Sequence, residues 1–387
     1  MISKIKMRWP WHKHVAPQLA ALGIVKNDPV GFWNWVRAPE FGPDPALAAP
    51  NTINWFVPSI GRGSGGHLNI FRFIRFLEQD GFDCRIVVFD DANLLSARQA
   101  KKNITEWFFP LKAEVVFHPQ QEVPPAAISV ATGWQTAFPV KAFRGTHHRC
   151  YFVQDFEPWF SSAGTEWAFA EETYRFGFTG ITAGGWLADK LHRDYGMTTH
   201  PVGFSYDREL YHRMPKRDKV PRVFFYARPP TARRAFELGL MVLTELAARH
   251  PEIGICLAGW DLSNYRIPFP ALSAGLLSLA ELPDLYSQCD AALVLSLTNA
   301  SLLPLELMAC GCLVVSNRGP NVEWLLNEDN AVLSDTRIDA LVEALEKSVF
   351  DAPFRERIVE NALRTAHATD WKKEAGKMAT IFRSLQR

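Results

Sequence analysis

Short apolar runs alternating with stretches of helical period organise most of this chain, starting at residue 51. Residues 53–57 form an apolar run, 61–66 a glycine loop, 67–79 a helix-period segment and 84–89 a second apolar run. That order predicts a β-loop-α-β unit. Further strand candidates at 114–117, 128–131, 150–154 and 180–183 are separated by helical or loop stretches, as an open parallel sheet requires. Residues 207–220 are dense in charge without an apolar period, which marks a linker. A second set follows, with strands at 222–227, 253–258, 291–296 and 313–316 and helices at 235–249, 282–288 and 302–309. The pattern predicts an α/β protein of two Rossmann-like doubly wound domains. The expected division is an N-terminal extension (1–50), a first domain (51–206), a second domain (207–369) and a terminal helix (370–387) crossing back to the first.

Composition narrows the class. The 387 residues are 48% hydrophobic and 21% charged, enough apolar material for a large core. Forty-two basic against 41 acidic side chains leave a net charge of +1, so a broad nucleic-acid surface is not expected. The apolar run 291–297 is among the longest and falls far short of the ~20 residues needed to cross a bilayer. Six cysteines lie at 84, 150, 256, 289, 310 and 312, no pair with zinc-site spacing. They read as buried thiols of a cytoplasmic protein. The extension is rich in Pro and Trp, and its first residues show no secretory h-region. Trp9, Trp11 and the cations Lys4, Lys6, Arg8 and Lys13 suit a peripheral contact at the inner face of a membrane. The preferred reading is an arm packed on its own domain or on a partner subunit, which would make a homodimer. The aromatic-rich stretch 159–178 is expected to pack under the sheet, not to stack on a ligand, and His147-His148 to sit in a solvated loop.

Three constellations carry chemistry. Gly61-Arg62-Gly63-Ser64-Gly65-Gly66 satisfies G-x-G-x-x-G between a strand and a helix, and Asp90 and Asp91 end the next strand. That is a dinucleotide fingerprint on its face. The same backbone serves any phosphate, carboxylate or sugar, with Gly65 expected at positive φ and in close approach to a ligand. His67 is expected at the mouth of a cleft, in contact with substrate. In the second domain, Arg228 follows a strand, and Arg233 and Arg234 follow across Pro229-Pro230-Thr231-Ala232. Two guanidinium groups there can grip one diphosphate bidentately without losing charge. The run Thr298-Asn299-Ala300-Ser301-Leu302-Leu303-Pro304-Leu305-Glu306 passes from loop into helix. Asn299 or Ser301 is expected to cap that helix, and Glu306, a lone acid on an apolar helix, to meet ribose hydroxyls.

This run resembles the E-x7-E signature of GT-B glycosyltransferases of family four; Leu307-Met308-Ala309-Cys310-Gly311 with Val314-Val315 fits the helix that follows it. Arg228 and Arg233 look like that family's diphosphate pair, with Arg233 in place of a Lys. The resemblance covers residue 51 to the C-terminus. Gly65-Gly66-His67, Ala131-Thr132-Gly133-Trp134, Gln154-Asp155-Phe156-Glu157-Pro158-Trp159 and the stretch from Tyr226 to Phe236 look closer still to bacterial rhamnosyltransferases of glycan and rhamnan assembly. It implies a GT-B fold whose domains face a cleft, the first for the acceptor and the second for the nucleotide sugar. It also implies retention of anomeric configuration. One departure stands out: the family's first Glu falls on Thr298.

The expected donor site therefore comprises Gly65, Gly66, Arg228, Arg233, Thr298, Asn299, Ser301, Leu302 and Glu306, with Arg228, Arg233, Glu306 and His67 as the catalytic set. Asp155 and Glu157 are the candidates for acceptor binding. No D-x-D pair ends a strand, so no metal is expected and no cofactor beyond the nucleotide diphosphate sugar, for which dTDP-rhamnose is the candidate. The expected acceptor is a glycan or lipid-linked glycan. Two readings compete with transfer: an NAD-dependent dehydrogenase using residues 61–66, and a non-catalytic glycan-binding protein that kept the fold.

Overall fold

The computed structural model describes residues 29–89, 96–118 and 120–387. Asp90, Asp91 and the Trp9–Trp11 region lie outside the described residues. The first sheet has seven parallel strands: β1 (Thr52–Val57), β2 (Asp83–Phe89), β3 (Glu114–His118), β4 (Ala126–Ala131), β5 (Thr146–Val153), β6 (Thr179–Ala183) and β7 (Thr199–Val202). Their order is β3-β2-β1-β4-β5-β6-β7. The second sheet, also parallel, has β8 (Arg222–Tyr226), β9 (Gly254–Ala258), β10 (Leu272–Gly275), β11 (Ala291–Val294), β12 (Leu313–Asn317) and β13 (Val332–Ser334), in the order β10-β9-β8-β11-β12-β13. Each sheet reverses direction beside its first strand, which leaves a crevice at the carboxyl ends of β1 and β4 and another at those of β8 and β11.

The strands that sequence patterning found are the ones covered on both faces. Every residue of β1 and β4 is buried, so they read as continuous apolar runs. Ile53, Trp55 and Val57 face one layer and Phe56 the other, against Phe143. Three strands escaped the pattern: β7, β10 and β13 are all sheet edges, short and polar or small in composition. Pro201 in β7 is tolerated there because an edge strand needs fewer ladder donors. His147 and His148 belong to β5, not to a solvated loop. The charged stretch 207–220 is also more than a spacer, because its Tyr211 is fully buried.

The C-terminal helix Trp371–Leu385 lies on the first domain: Trp371 packs edge-on against Phe73, Phe382 against Trp55, and Arg383 pairs with Asp80 at 2.7 Å. Residues 31–41 of the extension cover the first domain too, with Trp35 against Trp134 and Phe138 and Phe41 stacked on His118. All six cysteines are buried and free. Among the described residues no helix is long and apolar enough to cross a membrane.

Candidate active site

The two crevices face each other, and the loops leaving β8 and β11 meet those leaving β1 and β5. Arg228 reaches across: its Nη1 donates to the Tyr226 hydroxyl at 2.9 Å and approaches the Gly63 carbonyl oxygen at 3.4 Å. Arg233 lies with its guanidinium 4.0 Å above the Phe160 ring and its Nε 3.4 Å from Asp155 Oδ2. The latter is an ion pair without a hydrogen bond, since Nε finds no aligned acceptor. Arg234 is turned inward to Ser296 Oγ at 2.7 Å. Of the three arginines, Arg228 and Arg233 therefore sit at the cleft.

Opposite them is the glycine loop. Gly63, at φ +70°, is its left-handed residue, whereas Gly65 and Gly66 have ordinary φ and start the helix Gly65–Gln79. The expectation of positive φ at Gly65 is thus corrected to Gly63. A side chain at Gly65 would meet nothing within 4 Å, so the backbone there is open. The helix is capped by Ser64, whose Oγ accepts from the His67 N–H. His67 does not stand at the cleft mouth. It is buried, with Nδ1 2.8 Å from Ser64 Oγ and its ring beside Phe71, and burial pushes its pKa down to about 4.

Asp155 and Glu157 are not surface carboxylates offered to an acceptor. Both are buried. Glu157 Oε2 accepts the Trp134 N–H at 2.6 Å, at the start of the helix Trp134–Ala142, and burial raises its pKa to about 8. Asp155 accepts from the Phe156 N–H and from Thr298 Oγ1, each at 2.9 Å. Burial raises its pKa against the opposing pull of Arg233 and Arg234. Asn299 and Ser301 do not cap the helix Leu303–Ala309, whose N-cap is Leu302 without a side-chain bond. The Asn299 amide instead donates to the Gln154 and Ala183 carbonyls of the first domain and accepts from Trp324 Nε1. Thr298 and Asn299 are consequently domain-bridging residues.

Glu306 has protein company that the sequence did not disclose. It is buried, faced by Arg72 from the Gly65–Gln79 helix and by Tyr211 from the connecting segment. Desolvation outweighs both and lifts its pKa to about 7. The premise that it needs ribose as a partner does not hold, since Arg72 and Tyr211 already face it.

Two further features lay outside the sequence reading. Trp260, Asp261, Asn264, Tyr265 and Leu276 line an open pocket of about 510 Å³ past the ends of β9 and β10. Arg228 lies 6.0 Å from the Trp260 ring. The available signal was Gly259-Trp260-Asp261 directly after a strand. On the first domain, Trp159 and Phe160 are 44% and 37% exposed; Phe160 lies under Arg233, and Trp159 lies 6.1 Å from Trp186. These two residues depart from the packed reading of 159–178, which Tyr174 and Phe178 follow.

The fold is similar to that of HepE from Anabaena, solved in complex with UDP-glucose, with a TM-score of 0.68 at 14% identity, covering 86% of this chain and 99% of that one. Sucrose-phosphate synthase from Thermosynechococcus elongatus gives 0.66 at 13%, covering 87% and 99%. The fold is GT-B. Within this GT-B chain, residues 221–346 match the family described as WsaF, C-terminal domain, a span that contains Arg228, Arg233, Thr298 and Glu306. The chain is also 33% identical over 337 residues to the O-antigen biosynthesis protein RfbC of Myxococcus xanthus, covering 84% of this chain. It spans 26% of that relative's length.

Proposed function

We propose that this chain is a glycosyltransferase that moves a sugar from a nucleoside diphosphate sugar to a glycan acceptor, free or lipid-linked, in bacterial surface polysaccharide assembly. The observation that carries the reading is the placement of Arg228 and Arg233 at the second sheet's crevice, Arg228 between the pocket of Trp260 and Tyr265 and the glycine loop, and Arg233 beside Asp155. In this reading the nucleobase enters the aromatic pocket and the diphosphate lies on the two arginines, whose charges offset the developing negative charge of the leaving group. The likeness to HepE, whose complex holds UDP-glucose, and the O-antigen name of RfbC support it.

Transfer on this plan is retaining and needs no metal. The bond from the anomeric carbon to the diphosphate oxygen breaks, the acceptor oxygen attacks from the same face, and its proton passes to the departing phosphate. The likeness of the stretch from Tyr226 to Phe236 to bacterial rhamnosyltransferases favours a rhamnosyl donor carried on dTDP. Calorimetry with UDP, dTDP, GDP and NAD tests the core of this reading. At least one nucleoside diphosphate should bind and lose about 1.5–3 kcal/mol of affinity in Arg233→Ala, the worth of a charge-assisted contact. Binding of NAD alone, or an unchanged affinity in the variant, would remove it.

A further inference from the structure

Arg233 belongs to the second domain, yet its guanidinium is held by the first: Asp155 flanks Nε at 3.4 Å and the Phe160 ring covers the guanidinium at 4.0 Å. The same Asp155 oxygen accepts the Thr298 hydroxyl at 2.9 Å. Asp155 Oδ1 is fixed by the Phe156 N–H, so the carboxylate cannot rotate away from either partner without losing a bond. One carboxylate thus sets the place of the diphosphate-side arginine and of the loop that leads to Glu306. Both contacts cross from one domain to the other.

We propose that Asp155 is a positioning residue for transfer: a carboxylate lent by the first domain that aims Arg233 and anchors Thr298 when the two domains meet. This rests on the transferase reading. It also gives a reason for threonine at 298. A hydroxyl there donates to Asp155, whereas a glutamate would bring a second carboxylate to the same buried spot, where two like charges cannot both stay ionised. The site holds one carboxylate at this junction, and it comes from the first domain. A binding role toward the acceptor is unsuited to Asp155, because both of its oxygens are engaged within the protein.

The test uses the full chain and four variants. Asp155→Asn keeps an acceptor for Thr298 but removes the charge facing Arg233. With whichever of dTDP-rhamnose and UDP-glucose the wild type turns over, kcat should fall about 100-fold, as a reactive geometry displaced by about 1 Å does. Donor KM should stay within about threefold. Asp155→Glu should recover part of kcat. Thr298→Glu should melt below the wild type and bind UDP or dTDP at least about tenfold more weakly, since its carboxylate opposes Asp155 and competes for Arg233. Adding Asp155→Asn to Thr298→Glu should restore both melting and nucleotide affinity. Unchanged kcat in Asp155→Asn, or a double variant no better than Thr298→Glu, overturns the proposal. A wild type that binds no nucleoside diphosphate removes the transferase reading and this role together. Wild-type turnover that Asp155→Asn leaves untouched removes this role alone.

Discussion

Replacing Glu306 by Gln separates two accounts of the acid at the centre of the second-domain motif. Its carboxyl is buried beside Arg72 and Tyr211, and its pKa rises from the ordinary 4.5 to about 7 because desolvation outweighs the arginine. A carboxyl with a raised folded pKa stabilises the fold fully below pH 4.5, and that contribution is lost as pH rises through 7. A shift of this size corresponds to roughly 3 kcal/mol. Glutamine imitates the protonated form, so Glu306→Gln should match the wild type at pH 5 and exceed it at pH 8. At about 2–4 °C per kcal/mol for a domain of this size, the gain at pH 8 is about 6–12 °C. Differential scanning calorimetry at pH 5, 6.5 and 8 reads it directly. Nucleotide affinity tests a ribose contact separately: Arg72 and Tyr211 already face the carboxyl, so UDP or dTDP weakens in the variant only where a ribose hydroxyl reaches it as well. A variant that melts several degrees below the wild type at pH 8 would refute the reasoning. The Arg72 ion pair would then be stronger than the burial that opposes it, and Glu306 would be a structural acid. A higher melting point with unchanged nucleotide affinity would keep the electrostatics and remove the ribose contact.

Four other expectations follow from the same geometry. Gly63→Ala should cost about 1 kcal/mol, because φ +70° suits glycine. Gly65→Val should leave the melting temperature unchanged but abolish transfer while free nucleotide still binds; full activity in Gly65→Val would show that no ligand approaches that backbone. His67 is neutral at pH 7, with its pKa depressed by burial to about 4, so the stability it contributes is present above pH 6.5 and is lost as pH falls through 4. His67→Asn should shrink the acid loss of stability by about 3 kcal/mol, and equal acid slopes in both proteins would mean the imidazole titrates as if exposed. Trp159→Ala, at the exposed edge next to Phe160 and Trp186, should raise acceptor KM about tenfold with nucleotide affinity intact, as loss of a large stacked surface does. A change confined to nucleotide binding would place Trp159 on the donor side.

Much of the architecture was legible because parallel strands covered on both faces must be apolar throughout. β1, β4, β11 and β12 announce themselves, and so do the glycine turn and the arginines that follow strand ends. Of the four edge strands, β3 carries an apolar run at 115–117 and was legible; β7, β10 and β13 are short and polar or small, which a half-solvated edge permits. Where individual side chains end up was only partly legible. Arg228 and Arg233 reach the cleft because a loop after a central strand of a doubly wound sheet has nowhere else to go. Asp155, Glu157 and His67 also follow strand ends or open a helix, yet they are buried, because the other domain or a neighbouring helix closes over them. Asp155 and Thr298 are 143 positions apart, and Arg72 and Glu306 belong to different domains. No local spacing encodes such pairs. Periodicity and composition are enough to specify the two α/β sheets and the loops that carry charge to their crevices. Which charges meet which is a product of the folded chain, because burial and long-range partners, not residue type, set whether a carboxylate is free, paired or protonated.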